Sequence, residues 1–193
     1  MKKTVVTAVF LALFGIVQTN AQVTFNPGFR AGLNLSHFTK QYSNNYTNSS
    51  FLPDFSNKTD FYIGFLGALK LSKFYTLQPE INYSNQGSSF GSGTLNVSYV
   101  GLQIVNKIYL GDAVNMQIGT ALDFATDSNF KLENDADMSF LLGLGADITK
   151  NIGLEFRVKK GLIPVFDYNN TGSHTNVLFQ LGATYIFDLK QTK

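Results

Sequence analysis

The chain has no cysteine among its 193 residues, so no disulfide can stabilise it. Small secreted scaffolds that depend on crosslinks are therefore excluded. Neither sign of charge predominates, because 15 Lys and Arg against 13 Asp and Glu leave a net charge of only +2. Without a basic run or stripe the chain has little with which to neutralise phosphates, which excludes nucleic acid as a partner.

Long apolar runs are rare. The one candidate, residues 4–17, follows Lys2 and Lys3 and precedes the small-residue sequence Thr19-Asn20-Ala21. This order is typical of a secretory signal peptide. An uncleaved anchor is the alternative, but the run is shorter than the roughly 18 to 20 residues of a spanning helix. We predict cleavage after Ala21, which gives a signal peptide over residues 1–21 and a single domain over residues 22–193.

The rest of the chain alternates between apolar and polar or small residues. Transmembrane β-barrels have this period-two pattern and no long apolar run. It recurs in eight segments: 27–36, 61–72, 77–84, 99–110, 114–124, 138–148, 153–161 and 180–187. The sequence thus predicts an all-β protein, an eight-stranded antiparallel up-and-down transmembrane β-barrel.

The connections between the segments alternate in length. The first, third, fifth and seventh are long, the last three lying near residues 86–97, 126–136 and 163–175. The second, fourth and sixth are short: "SKFYT", "GDA" and "TKNI". Short turns at one end and long loops at the other are typical of outer-membrane barrels with both termini in the periplasm. Pro79 lacks a ladder donor, so we expect a bulge there.

Charged residues separate cleanly by phase. Nine of them fall on the polar or small side of the predicted strands and would form a paired network inside the barrel: Arg30, Lys70, Glu80, Lys107, Asp123, Asp147, Glu155, Arg157 and Lys159. The apolar side carries essentially none before Lys160. A Lys or Arg facing lipid at mid-depth costs roughly 2–4 kcal/mol, so this segregation favours hydrocarbon outside and ions inside.

The sequence resembles the porin-family outer-membrane β-barrel domain, which includes PorT-like proteins and small eight-stranded barrels. The resemblance lies in "FRAGLNLS", "LQPEINYSNQG", "GLGADI" and the final strand, and it spans essentially the whole mature chain. It implies residence in the outer membrane. "VGLQI" lacks the proline frequent in strand four of such domains, and "DLKQTK" extends past the usual final aromatic.

The last strand also resembles the signal that the barrel-assembly machinery reads. That signal has a polar residue, a glycine two positions later, and two aromatic residues two positions apart. Gln180, Gly182, Tyr185 and Phe187 occupy these positions. The resemblance implies that the assembly machinery is a partner during insertion.

No pattern of catalytic or ligand-binding residues emerges, and we expect no enzyme activity, cofactor or metal. His37 and His174 would be neighbours at the rim, but solvated rim histidines explain them better than a metal site. The interior carboxylates fit partners of Arg and Lys better than a catalytic pair. The expected protein is a monomer in outer-membrane lipid that has a structural role or binds an extracellular ligand or protein through its loops.

Two alternatives remain at the level of sequence. The first is a narrow diffusion pore, and the second is a secreted, soluble lipocalin-like barrel that binds an apolar ligand inside.

Overall fold

A computed structural model describes residues 23–39, 56–90, 93–167 and 173–188. The expected signal peptide, residues 1–21, lies outside these ranges. The barrel strands are β1 (Thr24–Phe38), β2 (Lys58–Ser72), β3 (Tyr75–Phe90), β4 (Gly93–Tyr109), β5 (Val114–Ser128), β6 (Ala136–Asp147), β7 (Ile152–Gly161) and β10 (Asn176–Ile186). In the sequence, β8 (Phe166–Asp167) and β9 (Ser173–His174) come between β7 and β10, and they form a separate two-stranded sheet.

The eight long strands close into an antiparallel barrel in which each strand pairs with its neighbours in sequence. Closure is completed by β1 and β10, which pair from Gly28 opposite Ile186 to Phe38 opposite Asn176. This confirms the predicted up-and-down barrel. Among the described residues no helix is long and apolar enough to cross a membrane.

The two ends of the barrel differ. At the short-turn end, β2 is joined to β3, β4 to β5, and β6 to β7 by two to four residues. Gly111 has a φ of 98° in the β4–β5 turn, a conformation that residues with a side chain rarely adopt. The start of β1 and the end of β10 lie at this end too. The opposite, long-loop end carries the longer connections, which join β1 to β2, β5 to β6 and β7 to β10.

Two sequence predictions about the strands are wrong. The expected long loop near residues 86–97 is mostly strand, because β3 and β4 stay paired from Asn85 opposite Ser98 to Phe90 opposite Gly93. The expected bulge at Pro79 is absent: Pro79 lies opposite Ile104 in an unbroken register. The irregularity between β2 and β3 lies instead between Lys70 and Ser72.

Candidate functional site

The outer face of the barrel is apolar over a continuous belt. In β5 the outward residues from Val114 to Phe124 include Met116, Ile118 and Leu122, all 41–48% exposed. These eleven positions match the roughly 9–11 residues that a tilted strand needs to cross a bilayer. Comparable stretches run over 25–35, 61–71, 75–83, 100–110, 138–148, 152–158 and 179–187. We call these eight stretches the outer belt.

Charge is excluded from this surface. Within the outer belt, all of which the structure describes, no outward residue is Asp, Glu, Lys or Arg. Asn106 is a polar exception, and its amide is satisfied by the Tyr75 hydroxyl at 2.6 Å and the carbonyl of Ile118 at 3.1 Å. An apolar exterior with polar groups paired is the arrangement that hydrocarbon requires.

Four of the predicted interior charges meet at the centre of the lumen. Arg157 donates to both carboxylate oxygens of Glu80, at 2.9 and 2.8 Å, and its Nη2 lies 2.9 Å from Glu155 Oε2. Arg30 donates from Nε to Glu155 at 2.7 Å and from Nη1 to Glu80 at 3.1 Å. Each arginine thus contacts both glutamates in a closed ring, which we call the Arg–Glu quartet.

Neutral side chains complete the coordination of the quartet. Gln78 donates to Glu80 at 2.7 Å, Gln117 accepts from Arg157 at 2.7 Å, and the Arg30 guanidinium lies 4.3 Å from the centre of the Tyr62 ring. All four charged side chains are at most 2% exposed. Since buried charges are tolerable only when they are paired and hydrogen-bonded, the quartet is an arrangement of charge that the interior of the barrel can hold.

The other five predicted charges lie above and below this centre. Toward the long-loop end, Lys159 pairs with Asp123 at 2.5 Å. Toward the short-turn end, Asp147 accepts from Tyr109 at 3.1 Å, and Lys107 is buried at 3% exposure. Lys70 departs from the predicted network, because it is exposed and lines the mouth of the lumen at the short-turn end. It shares the inward phase but lies beyond the depth at which the barrel is filled.

The four residues of the predicted assembly signal lie on both faces of the final strand, two facing inward and two facing outward. Gln180 faces inward and donates to Asn34 at 2.8 Å. Gly182 also faces inward, where a Cβ would collide with the Tyr62 ring at 2.9 Å. Tyr185 and Phe187 face outward and pack with Phe29, at ring distances of 5.5 and 5.7 Å.

Comparison with known proteins identifies the family. The model of the outer membrane protein beta-barrel domain matches residues 18–167, more than half of the chain. The protein belongs to this family. No curated protein sequence matches the chain.

Several solved structures align with this outer-membrane barrel. Neisserial surface protein A is 12% identical and aligns at a TM-score of 0.58, over 83% of this chain and 97% of its own. OprG from Pseudomonas aeruginosa (10% identical, TM-score 0.49, 86% and 98% covered) and Ail of Yersinia pestis (11%, 0.47, 84% and 98%) also align. The family places the protein in the outer membrane, and its apolar outside and polar inside exclude the soluble, lipocalin-like alternative.

The long-loop end of this outer-membrane barrel contains a cluster of packed apolar residues that the sequence patterns did not predict. At the long-loop end Phe38 and Val165, 1% and 2% exposed, pack with Leu95, Phe130 and Leu132. We call these five residues the apolar cap. They come from two strands and two connections and show no shared period, so no sequence pattern could have indicated their contact.

The sequence did not predict that three further inward residues belong to the charge network. Tyr62 and Gln78 contact the quartet, and Asp137 faces Asp123 across β5 and β6. Their inward phase was readable, but only the register shows their common depth. His37 lies opposite Val177 and His174 opposite Phe166, so the two histidines are not paired with each other, and their proximity stays a prediction. The described residues contain no group of three potential metal ligands.

Proposed function

We propose that this outer-membrane barrel is a non-enzymatic, non-conducting scaffold that presents its long loops at the cell surface. The observation that carries the proposal is the Arg–Glu quartet, which joins β1, β3 and β7 across the lumen. An eight-stranded barrel has an interior only wide enough for side chains. Here those side chains form charge-assisted hydrogen bonds with one another, so we expect them to block the passage of ions through the lumen.

The absence of catalysis is part of the proposal. Both quartet glutamates are engaged by arginines, so neither is available as a general acid or base. Asp123 is similarly engaged by Lys159. The interior carboxylates therefore support a structural role.

The finer assignments also belong to this proposal. We propose that the short turns and both termini lie in the periplasm and that the protein is a monomer in outer-membrane lipid. The barrel-assembly machinery inserts it, and its nearest kinship is with PorT-like proteins. Its loops bind an extracellular ligand or protein. The loop composition supports a ligand or protein at the loops, and the belt of apolar residues around the whole circumference supports a monomer in lipid. A narrow diffusion pore is the competing function.

Conductance in planar lipid bilayers distinguishes the two. We expect the purified full chain, with folding verified by the heat-dependent shift in gel mobility, to give no discrete conductance steps at 1 M KCl. Reproducible steps from the folded protein would establish the pore and overturn the proposal of a closed lumen. The same sample tests membrane residence, because an integral barrel needs detergent for extraction.

A further inference from the structure

The outer face of β7 carries a positive charge just beyond the outer belt. Lys160 is exposed and follows Val158, the last belt residue of this strand on the same face. It lies opposite Phe140 of β6, which belongs to the belt and is 56% exposed. The ammonium is therefore at the edge of the apolar surface, at the long-loop end, where a lysine on a membrane protein reaches the lipid headgroups.

Lys160 forms no ion pair with a carboxylate among the described residues. Its ammonium donates to the Thr175 hydroxyl at 2.6 Å, which leaves two of its three N–H groups for other acceptors. Asp123 and Asp137 lie on neighbouring strands, but they are buried on the inner face of the barrel, at 3% and 5% exposure. The positive charge on the outer face is thus separated by the sheet from both of these carboxylates.

A histidine lies on the same face, two strands away. His37 of β1 lies opposite Val177 of β10, and Val177 lies opposite Lys160, so the three form one row on the outside of the barrel. The Cα atoms of His37 and Lys160 are then about 10 Å apart, twice the spacing of neighbouring strands. The Nδ1 of His37 is buried and has no hydrogen-bond partner, so a ligand outside the barrel can reach the ring only through Nε2.

The next two rows toward the middle of the membrane are apolar. On β1, β10 and β7 they consist of Leu35, Phe179 and Val158, and then of Leu33, Leu181 and Phe156. One panel of three strands therefore has two nitrogen donors at the membrane boundary and a hydrocarbon surface directly beneath them. This order of polar and apolar groups is the order within a lipid that has an anionic headgroup.

We propose that this panel binds the phosphate group of a membrane lipid, with the Lys160 ammonium and the His37 Nε2 as donors and the two apolar rows as the surface for an acyl chain. The ammonium reaches over β10 to Thr175, so it is displaced toward β1 and His37. Phosphate oxygens are strong acceptors for both donors. The leaflet rests on the proposed function: with the long loops at the cell surface, the row lies in the outer leaflet, and the lipid is a phosphorylated glycolipid of the lipid A type.

Native mass spectrometry of the folded full chain, released from zwitterionic micelles that contain lipid A, tests the site. We expect saturable retention of one lipid A per barrel. Lipid A without its phosphate should be retained at least about tenfold more weakly, the effect of losing one charged hydrogen bond. An excess of inorganic phosphate should not displace the lipid, because it has no acyl chain. Equal retention with and without the phosphate, or displacement by inorganic phosphate, would overturn the lipid site.

Variants assign the retention to the two donors. Lys160→Met should weaken it at least about tenfold, and His37→Phe, which keeps a ring of similar size, should weaken it several-fold. The control is Lys73→Met, which removes an exposed lysine at the opposite end, 4.7 Å from the Phe74 ring, and should behave as the wild type does. Unchanged retention in the Lys160 variant, or an equal loss in the Lys73 variant, would reduce the effect to unspecific attraction and overturn the assignment.

The lipid site and the proposed function can fail separately. Retention is measured in micelles, so it does not depend on the orientation of the barrel, and conductance steps would overturn the closed scaffold without changing it. The choice of a glycolipid does depend on orientation. Phosphatidylglycerol retained as well as lipid A would overturn that choice, and weaker retention of phosphatidylglycerol supports it.

Discussion

At the residue scale, the phase of each strand predicts which charges enter the lumen but not how they pair. Arg30 and Glu155 are 125 positions apart, and β10 lies between their strands. Their contact depends on the stagger of three strands, which no local pattern encodes. Lys70 shows the same limit, since it has the inward phase of the quartet yet lies at the mouth of the lumen.

Removing one member of the quartet should destabilise the barrel strongly. Glu80→Gln leaves two buried arginines with Glu155 alone, and breaking a buried ionic network in this way costs about 3–5 kcal/mol. Urea unfolding in lipid vesicles, followed by circular dichroism, measures the loss. Glu133→Gln, the same substitution at an exposed loop residue, should change stability by less than about 0.5 kcal/mol.

Charge balance provides a second arm for this prediction. The double variant Glu80→Gln with Arg157→Gln returns the quartet to one arginine and one glutamate, so it should be more stable than Glu80→Gln alone. If the single Glu80 variant unfolds like the wild type, or if the double variant is the least stable, the quartet does not hold the lumen together electrostatically.

At the element scale, alternation predicted all eight barrel strands, whereas the ends of β3 and β4 escaped it. "SNQGSSF" has the composition of a loop. It forms strand because its inward side chains find partners across the barrel: Asn34 donates to Ser84 at 2.8 Å, and Ser36 donates to the carbonyl of Gly87 at 2.8 Å. Tertiary hydrogen bonds thus override a weak local propensity.

Pro79 is tolerated for a related reason that only the fold shows. Its ring faces outward and is exposed, so it lies among lipid-facing residues. Pro79 lies in a stretch where β2 and β3 do not pair, between the Leu66–Glu80 and Leu69–Leu77 pairs. The Phe25 ring covers Gly67 in this gap, with ring carbons 2.7 and 3.2 Å from where a Cβ would lie. An aromatic ring over a strand glycine shields the interrupted ladder without a bulge.

The final strand gives a prediction about assembly. Replacing both Tyr185 and Phe187 by Ala should prevent insertion and leave the protein in the periplasm, because the proposed signal loses both aromatic residues. Fractionation and the heat-dependent gel shift measure the inserted fraction. Tyr185 and Phe187 are the members of the proposed signal to replace, because a substitution at Gly182 would also collide with Tyr62 inside the barrel.

A second aromatic pair separates a signal from a general need for interfacial aromatics. Phe61 and Tyr83 are also exposed on the outer belt, with ring centres 6.3 Å apart, but lie on β2 and β3. Replacing both by Ala should leave most of the protein inserted. An equal loss of insertion in the two double variants would assign the effect to anchoring at the membrane interface, and normal insertion of the Tyr185 and Phe187 variant would remove the signal.

At the scale of the whole molecule, the two ends and the centre of the barrel differ in the side chains that occupy them. The apolar cap packs at the long-loop end and the quartet lies at the centre, while the cavity lined by Lys70, Lys73, Asp112 and Asp147 opens at the short-turn end. The orientation of the barrel decides which compartment supplies the cavity.

The chain itself makes this orientation measurable, because it contains no cysteine. Single variants Lys131→Cys, in the β5–β6 loop, and Asp112→Cys, in the β4–β5 turn, place one thiol at each end, and both positions are exposed. With short turns in the periplasm, a membrane-impermeant maleimide should label the Lys131 variant in intact cells and the Asp112 variant only after the outer membrane is permeabilised. The opposite pattern would invert the barrel and place the short-turn end, with its cavity, at the cell surface.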